Sequence, residues 1–418
     1  MPKKTTKLKA KPTAKFKTLS FKQTLNLSPA EAFRMFTHAT ALRDWFSNSA
    51  QVNARVGGLI FLGWDSGHYV CATITTFEPG QKLGLAWDGK NEPAPTRMTV
   101  SFRAKGSGTV VSVAHGGVGS SSKWAATRQG IRHGWAAGLE NLKSVAETGI
   151  DLRQARRPRL GIFIGEFTAE VAKQLGVPVT KGIKLDGTAE GSGGRAVGLQ
   201  KDDVLVKLGG KPAVDFPTLG IALQGRQAGD KVAIEWYRGN RKMKGELALG
   251  RFPISAVPDT AADLAMLARK QYFDINTGFP QLLVGMSETE ASTHSGNEWS
   301  VKDLIAHFIL AERDYQSWVA DMLNDTPVED YLEFRTNVTP RIVALVERHK
   351  TTQDLLNELK RAADETLRLL EALPANFVAR KHLYRRVANW VLEVTPGHFH
   401  DEHSEQIKTA ILAAKKKK

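Results

Sequence analysis

With 418 residues, 42% of them hydrophobic and 24% charged, the chain has the composition of a globular protein and the length of two to four domains. A single cysteine, Cys71, excludes a disulfide framework and a Cys-rich zinc module. No run of about 18 apolar residues offers a membrane-spanning helix, and the Lys-rich start lacks the apolar stretch of a secretory signal, so a cytoplasmic protein is expected.

The net charge of +15 points at first to nucleic acid. It is unevenly placed, however. Residues 1–22 hold eight lysines and no acid, and Lys415–Lys418 add four; without these twelve, about +3 remains. Residues 1–20 and 415–418 are therefore expected to be disordered basic tails. They are either weak tethers to nucleic acid or anionic lipid or flexible solubilising ends. The second is favoured, because only Phe16 interrupts the lysines and base stacking needs aromatics.

The first folded segment, 21–149, opens with a short strand and a helix over 29–38. Strand signals follow around Leu59–Leu62, Tyr69–Phe77 and Lys82–Trp87. Met98, Val100 and Phe102 alternate with polar residues, as do Val111 and Val113, and Lys105-Gly106-Ser107-Gly108 between them reads as a hairpin. Ile131, Trp135, Leu139 and Leu142 share one helical face. An antiparallel sheet closed by one long amphipathic helix is an α+β pattern. In this order, Ala32-Phe33, Thr37, Asp44-Trp45-Phe46, Val56-Gly57-Gly58, Phe77-Glu78-Pro79, Leu85-Ala86-Trp87 and Gly134-Trp135 resemble the START-like (SRPBCC) helix-grip superfamily. The nearer resemblance is to bacterial homologues of the activator of heat-shock-protein-90 ATPase. It implies a cavity for a small apolar ligand, or a surface for a client protein, and no catalysis. Trp45, Trp64, Trp87 and Trp135 would line the cavity or fill a solid core.

The second segment, 159–252, reads as short strands at 160–165, 182–185, 203–208, 231–237 and 244–249, with a short helix at 216–225. Leu160-Gly161-Ile162, Phe167-Thr168-Ala169-Glu170, Leu175-Gly176-Val177, Gly198-Leu199-Gln200-Lys201-Asp202-Asp203 and Gly229-Asp230-Lys231-Val232 resemble a PDZ domain of high-temperature-requirement-type proteases. That resemblance implies capture of a protein's C-terminal peptide as an added strand. Leu160, Gly161, Ile162, Phe163 and Ile164 would hold it, with Arg159 pairing the carboxylate; a spacer role is the alternative. At Ser192-Gly193-Gly194-Arg195-Ala196-Val197 the chain departs from the family pattern, and the glycines are expected to loosen that turn. Gly191-Ser192-Gly193-Gly194 also echoes a serine-protease nucleophile loop, but no upstream double barrel would place a His base beside it.

The third segment, 258–414, is helical. Asp259 is a candidate N-cap ahead of Leu264 and Leu267. Ser300 is another, ahead of Leu304, Ile305, Phe308 and Ala311, which share one face. Leu355, Leu359, Leu369 and Leu370 mark a third helix, and Ile407 with Ile411 marks a last one over 401–414. An antiparallel four-helix bundle is expected. Trp299-Ser300-Val301-Lys302-Asp303-Leu304-Ile305-Ala306-His307 and Gly397-His398-Phe399-His400-Asp401-Glu402-His403 resemble the second-helix and last-helix signatures of the DinB-like superfamily. That resemblance implies a divalent metal, zinc or nickel, on His307, His400 and His403, with His398 in reserve. Phe399 stands where the family has a ligand four residues before His403, so the alternative is a hydrogen-bonded, metal-free histidine cluster. Asp401 and Glu402 read as first-turn acids complementing the helix dipole.

Together these readings favour a non-enzymatic multidomain binding or adaptor protein, with stress response as the domain analogy. The rival is a metal-dependent DinB-like transferase or isomerase using a small thiol, which the metal would deprotonate.

Overall fold

A computed structural model describes residues 16–294, 296, 298–328, 338–394 and 403–416. The chain forms two compact units: residues up to Ile150 together with those from Ser255 onward, and Asp151–Ile254.

The larger unit begins with β1 (Phe16–Leu25), α1 (Pro29–Thr37), α2 (Ala39–Trp45), β2 (Ser49–Val52), β3 (Leu59–Gly63), β4 (Tyr69–Glu78), β5 (Lys82–Gly89), β6 (Thr96–Lys105), β7 (Gly108–Gly119) and α3 (Ala125–Thr148). The strands form one antiparallel sheet in the order β1-β7-β6-β5-β4-β3-β2. Ser28 starts α1 by accepting from the Glu31 amide, with Pro29 at the first helical position. Gly106, at φ +58, turns the β6–β7 hairpin, in which Lys105 opposes Gly108. Alternation buries Met98, Val100 and Phe102 against the helices, where they meet Ile131, Trp135, Leu139 and Leu142 of α3.

The first strand starts earlier than expected. Phe16–Ser20 belong to β1, opposite the end of β7, and Leu19 is buried in the core. The pairing partner lies about a hundred residues away, so the local lysine content did not reveal it. Residues 1–15 of the expected tail lie outside the described residues.

The smaller unit contains α4 (Leu152–Ala155), β8 (Ile162–Gly165), α5 (Ala169–Leu175), β9 (Ile183–Thr188), α6 (Gly193–Ala196), β10 (Val204–Leu208), β11 (Lys211–Pro212), α7 (Phe216–Leu223), β12 (Lys231–Arg238) and β13 (Arg241–Ala248). Its sheet runs β13-β12-β10-β9-β8, with β11 on β10. Asp203, fully buried, receives Arg238 Nε and Nη2, each at 2.8 Å, and so clamps β10 to β12.

From Ser255 the larger unit continues as helices: α8 (Ala261–Leu282), α9 (Glu288–Ala291), α10 (Val301–Leu323), α11 (Thr339–Arg348), α12 (Thr352–Glu371), α13 (Ala375–Val378) and α14 (Lys381–Asn389). A π-helical turn at Trp390–Val394 and α15 (Ser404–Lys416) follow. Ser300 and Asp303 form a reciprocal capping box on α10. On α8 the cap is Thr260 rather than Asp259: Thr260 Oγ1 accepts from the Asp263 amide at 3.1 Å, while Asp259 is turned to solvent. The last helix extends to Lys416, past the expected start of the tail at 415; residues 417–418, like Asp401 and Glu402, lie outside the described residues.

The helical segment closes on α1 and α2 through charge. Asp325, just past α10, takes φ +59. Its carboxylate meets Arg34 of α1 and, at 2.7 Å, Arg380 just before α14, while its carbonyl accepts from His38 Nε2 at 2.8 Å. Arg380 also faces Glu31 at 3.6 Å. The Val328 amide donates to Thr40 Oγ1 at 3.0 Å, and its carbonyl accepts from Arg43. Arg386 of α14 donates through Nε to Asp44 Oδ1 at 2.9 Å. Gly149, at φ +71, ends α3; a Cβ there would stand 2.5 Å from the Lys381 carbonyl oxygen, so glycine permits the approach of α14. Within this seam His382 is buried beside Arg380, Arg386, His38 and Arg34. Burial first, then these cations, push its pKa down to about 3. It therefore supports the folded state above its ordinary 6.5, and that support is lost as the pH falls towards 3.

Inside the helices, Glu312 is buried, and among the described residues its partners are hydroxyls. Tyr272 Oη donates to its carboxyl at 2.8–2.9 Å and Thr366 Oγ1 at 2.7 Å. Burial raises its pKa to about 7 despite these donors. Its contribution to stability is thus fully present below its ordinary 4.5 and is lost as the pH rises through 7. Between pH 5 and 8 the unfolding free energy should fall by roughly 3 kcal/mol from this group, and Glu312→Gln should flatten the decline. Parallel urea-midpoint curves for the two proteins would contradict the assignment.

Candidate functional site

In the first sheet domain the four tryptophans are brought close to one another around Phe46. Phe46 stacks on Trp45 (centroids 4.6 Å) and on Trp135 (5.0 Å), meets Trp64 edge-on at 5.5 Å, and Trp87 lies 6.2 Å from Trp135. Each indole N–H donates within the protein: Trp45 to the Met35 carbonyl at 2.7 Å, Trp64 to that of Phe46 at 2.8 Å, Trp87 to Glu92 Oε1 at 3.3 Å, and Trp135 to His115 Nδ1 at 3.2 Å. Because Trp135 donates to Nδ1, a neutral His115 carries its proton on Nε2 and donates it to Thr96 Oγ1 at 2.8 Å. Burial pushes the His115 pKa down to about 4. His68 and His133 lie on other elements and join no shared site with it. Glu92, half-buried, has its pKa raised by burial.

In the smaller unit β8 is an edge strand. It pairs β9 on one side, and among the described residues no strand pairs the other. Phe163 and Ile164 are exposed on it, and Ile162 is half-buried against the core. Leu160 is buried. Gly161 takes φ +71, and a Cβ on it would stand 2.1 Å from Ser192 Cβ, so only glycine fits. The loop carbonyls are held from behind: the Gly194 amide donates to Leu160 and the Ala189 amide to Gly161, both at 2.9 Å. Arg159 exchanges two backbone hydrogen bonds with Gly250, and its guanidinium lies 4.5 Å over the Phe252 ring. The glycines after Ser192 do not loosen the turn as expected. A Cβ on Gly193 would stand 1.9 Å from the Ala248 carbonyl oxygen and one on Gly194 2.9 Å from that of Leu160, so they permit close packing. Ser192, which caps α6, also has its hydroxyl 2.7 Å from the Ala189 carbonyl oxygen.

In the helical segment His307, in the second turn of α10, and His403, just ahead of α15, come together with ring centroids 4.9 Å apart. Trp299 lies 4.9 Å from the first ring and stacks on the second at 6.3 Å; Phe308 meets His403 edge-on at 5.4 Å. His403 Nδ1 donates to Gln406 Oε1 at 2.6 Å, which leaves Nε2 as its lone-pair nitrogen. A ligating imidazole is commonly oriented by such a partner on its other nitrogen. His400 and His398 lie outside the described residues, and among those described no group of three His, Cys, Asp or Glu could hold a metal ion.

Sequence reasoning missed two polar groupings. One is the seam around Asp325, to whose charged residues no local sequence pattern assigns a role. The other is Glu312 with Tyr272 and Thr366, where a carboxylate one turn beyond Phe308 on the apolar face of α10 was the available signal.

Residues 26–147 match the family described as Activator of Hsp90 ATPase homolog 1-like protein. The resemblance of the first domain to this family, expected from its sequence, is thereby supported. The periplasmic pH-dependent serine endoprotease DegQ of Escherichia coli is 28% identical over 116 residues, which is 28% of this chain and 26% of that protein, so the chain spans about a quarter of this relative's length. Among solved structures, an HSP90 activator from Plasmodium falciparum is 22% identical over 31% of this chain and 94% of its own, with a TM-score of 0.28. The Aha1 dimer from Colwellia psychrerythraea is 19% identical over 31% and 94%, with a TM-score of 0.27. No described helix is long and apolar enough to cross a membrane.

The hydrogen bonds of His115 carry a direct test. Its ring should stay neutral, protonated on Nε2, until the pH approaches 4, as read from its imidazole nitrogen shifts; a ring titrating near 6.5 contradicts the arrangement.

Proposed function

We propose that the chain is a non-enzymatic, cytoplasmic adaptor that joins an Hsp90-type chaperone to proteins presenting a suitable C-terminus. The first part of this reading rests on the family match of residues 26–147. A protein surface is favoured over a small apolar ligand as its partner, because Trp45, Trp87 and Trp135 already spend their faces on each other and on Phe46. A ligand would have to displace that packing.

The smaller unit is read as a PDZ domain, and the observation that carries its role is the edge strand β8 behind Gly161. An extended peptide adding beside Ile162–Ile164 would use the strand's unpaired backbone groups, and the Leu160–Gly161 turn would receive its carboxylate. Arg159, whose guanidinium lies over Phe252, immediately precedes that turn in the chain and adds positive charge. The helical segment is read as a DinB-like four-helix bundle that docks on the first domain. The lysine-rich ends add at most weak, salt-sensitive attraction to nucleic acid.

Peptides ending in a free carboxylate and an apolar side chain should bind the full chain, and amidation of the same terminus should weaken binding at least tenfold. Equal binding of the acid and the amide in a fluorescence titration would remove the peptide-terminus reading.

A second reading has its own observation. The convergence of His307 and His403, with Gln406 orienting the latter, fits two ligands of a zinc or nickel site completed by His400. Such a metal would hold a small thiol as thiolate, as a transferase or isomerase requires. On this reading, purified protein carries about one equivalent of metal per chain and His307→Ala loses it. Sub-stoichiometric metal that the substitution leaves unchanged excludes it.

A further inference from the structure

We infer that the strand face of the first domain turned away from α1–α3 is its protein-docking surface, and that it receives an acidic surface of the chaperone. This rests on the chaperone reading above and specifies the face involved.

The opposite side of the sheet is spent on the core, and α1 and α2 are occupied by the helical segment through Asp325, Arg380 and Arg386. On the outward face, Lys22, Lys82, Arg97 and Ser101 are exposed among the described residues. Its register makes two rows across the strands. Lys22, Ser112, Ser101 and Lys82 lie side by side on β1, β7, β6 and β5; Arg97, Ala86, Thr73 and Leu59 do so on β6, β5, β4 and β3. Arg103 and Lys105 extend the basic end of β6. All five cations are exposed, and among the described residues none stands in an ion pair. The arginines of the seam and the sheet clamp, by contrast, each meet a carboxylate. The outward carboxylates described on these strands are Glu78 and Asp88.

The floor between the cations is made of small side chains such as Ser101, Ser112 and Ala86, so a partner can approach the backbone closely. At the β3–β4 end Leu59 is 61% exposed and Tyr69 43%, and Phe61 stacks on Tyr69 at 6.2 Å. A flat face with arginine and lysine on one side and an aromatic–aliphatic anchor on the other matches the make-up of protein interfaces. Seven strands spaced about 4.8 Å apart give roughly 30 Å of width, enough for a standard interface of about 800 Å² per partner. Single-stranded nucleic acid fits less well, because Phe61 and Tyr69 stack on each other and lie away from the lysine row.

The test is calorimetric titration of the full chain with a purified Hsp90-type chaperone at low and moderate salt, beside a single-stranded 20-nucleotide DNA. Lys82→Glu with Arg97→Glu should weaken chaperone binding at least tenfold and flatten its salt dependence. Asp88→Lys should tighten binding, a gain that misfolding cannot produce. Unchanged affinity in the double variant and in Asp88→Lys overturns the docking face and leaves the chaperone reading standing. No binding by the wild type overturns the chaperone reading and this face with it. Loss of DNA binding with chaperone binding intact makes the face a nucleic-acid surface and overturns the proposal.

Discussion

One carboxylate joins the sequence-distant parts of the larger unit. Asp325 occupies the position after a helix end where glycine is usual, in a left-handed conformation that aspartate tolerates better than branched residues do. Placing a carboxylate there lets a single turn meet Arg34 from the first domain and Arg380 from the helical segment. Such charge-assisted contacts are worth more where both partners are part-buried than on an open surface. The effect carries inward. Arg386 and Asp44 fix the end of α2, α2 delivers Trp45, and the Trp45 carbonyl accepts from buried Asn141 of α3 at 2.8 Å. The aromatic stack around Phe46 therefore depends on the same anchoring that positions the helical segment.

Much of this architecture was legible in the sequence where a local rule sufficed. The alternation of Met98, Val100 and Phe102, the glycine turn at 106, the single face of Ile131, Trp135 and Leu139, and the serine cap at 300 all follow from periods of two and 3.6 and from capping chemistry. Local rules failed where two residues could play one part, as with Asp259 and Thr260. They failed again where one residue type has two uses: Gly193 and Gly194 read as a flexible turn, yet the space they leave is filled by the backbone of Ala248 and Leu160. The seam was illegible for a different reason. Arg34, Asp44 and Arg386 sit on amphipathic helices where charge ordinarily faces water, and only the tertiary fold brings them together. At the candidate sites, the sequence brought out His307 and His403 and the loop before β8, but not Glu312, whose burial depends on three helices at once.

This organisation bears on function. The first domain keeps one sheet face for its core and yields α1 and α2 to the helices, and the outward strand face carries exposed cations. The smaller unit keeps a strand edge that no described strand pairs, beside a loop built on glycine. An adaptor needs separate surfaces of different chemistry, and these two differ: one is flat and basic, the other offers backbone hydrogen bonds and apolar side chains.

The two ends of the chain form one compact body and residues 151–254 form another. Hydrogen exchange followed along a denaturant series on the full chain tests it most directly. Two transitions are expected, with the strands of the first domain and helices α8–α14 losing protection together and the smaller unit losing it separately. Separate loss of protection in the first domain and the helices, giving three transitions, would contradict this expectation.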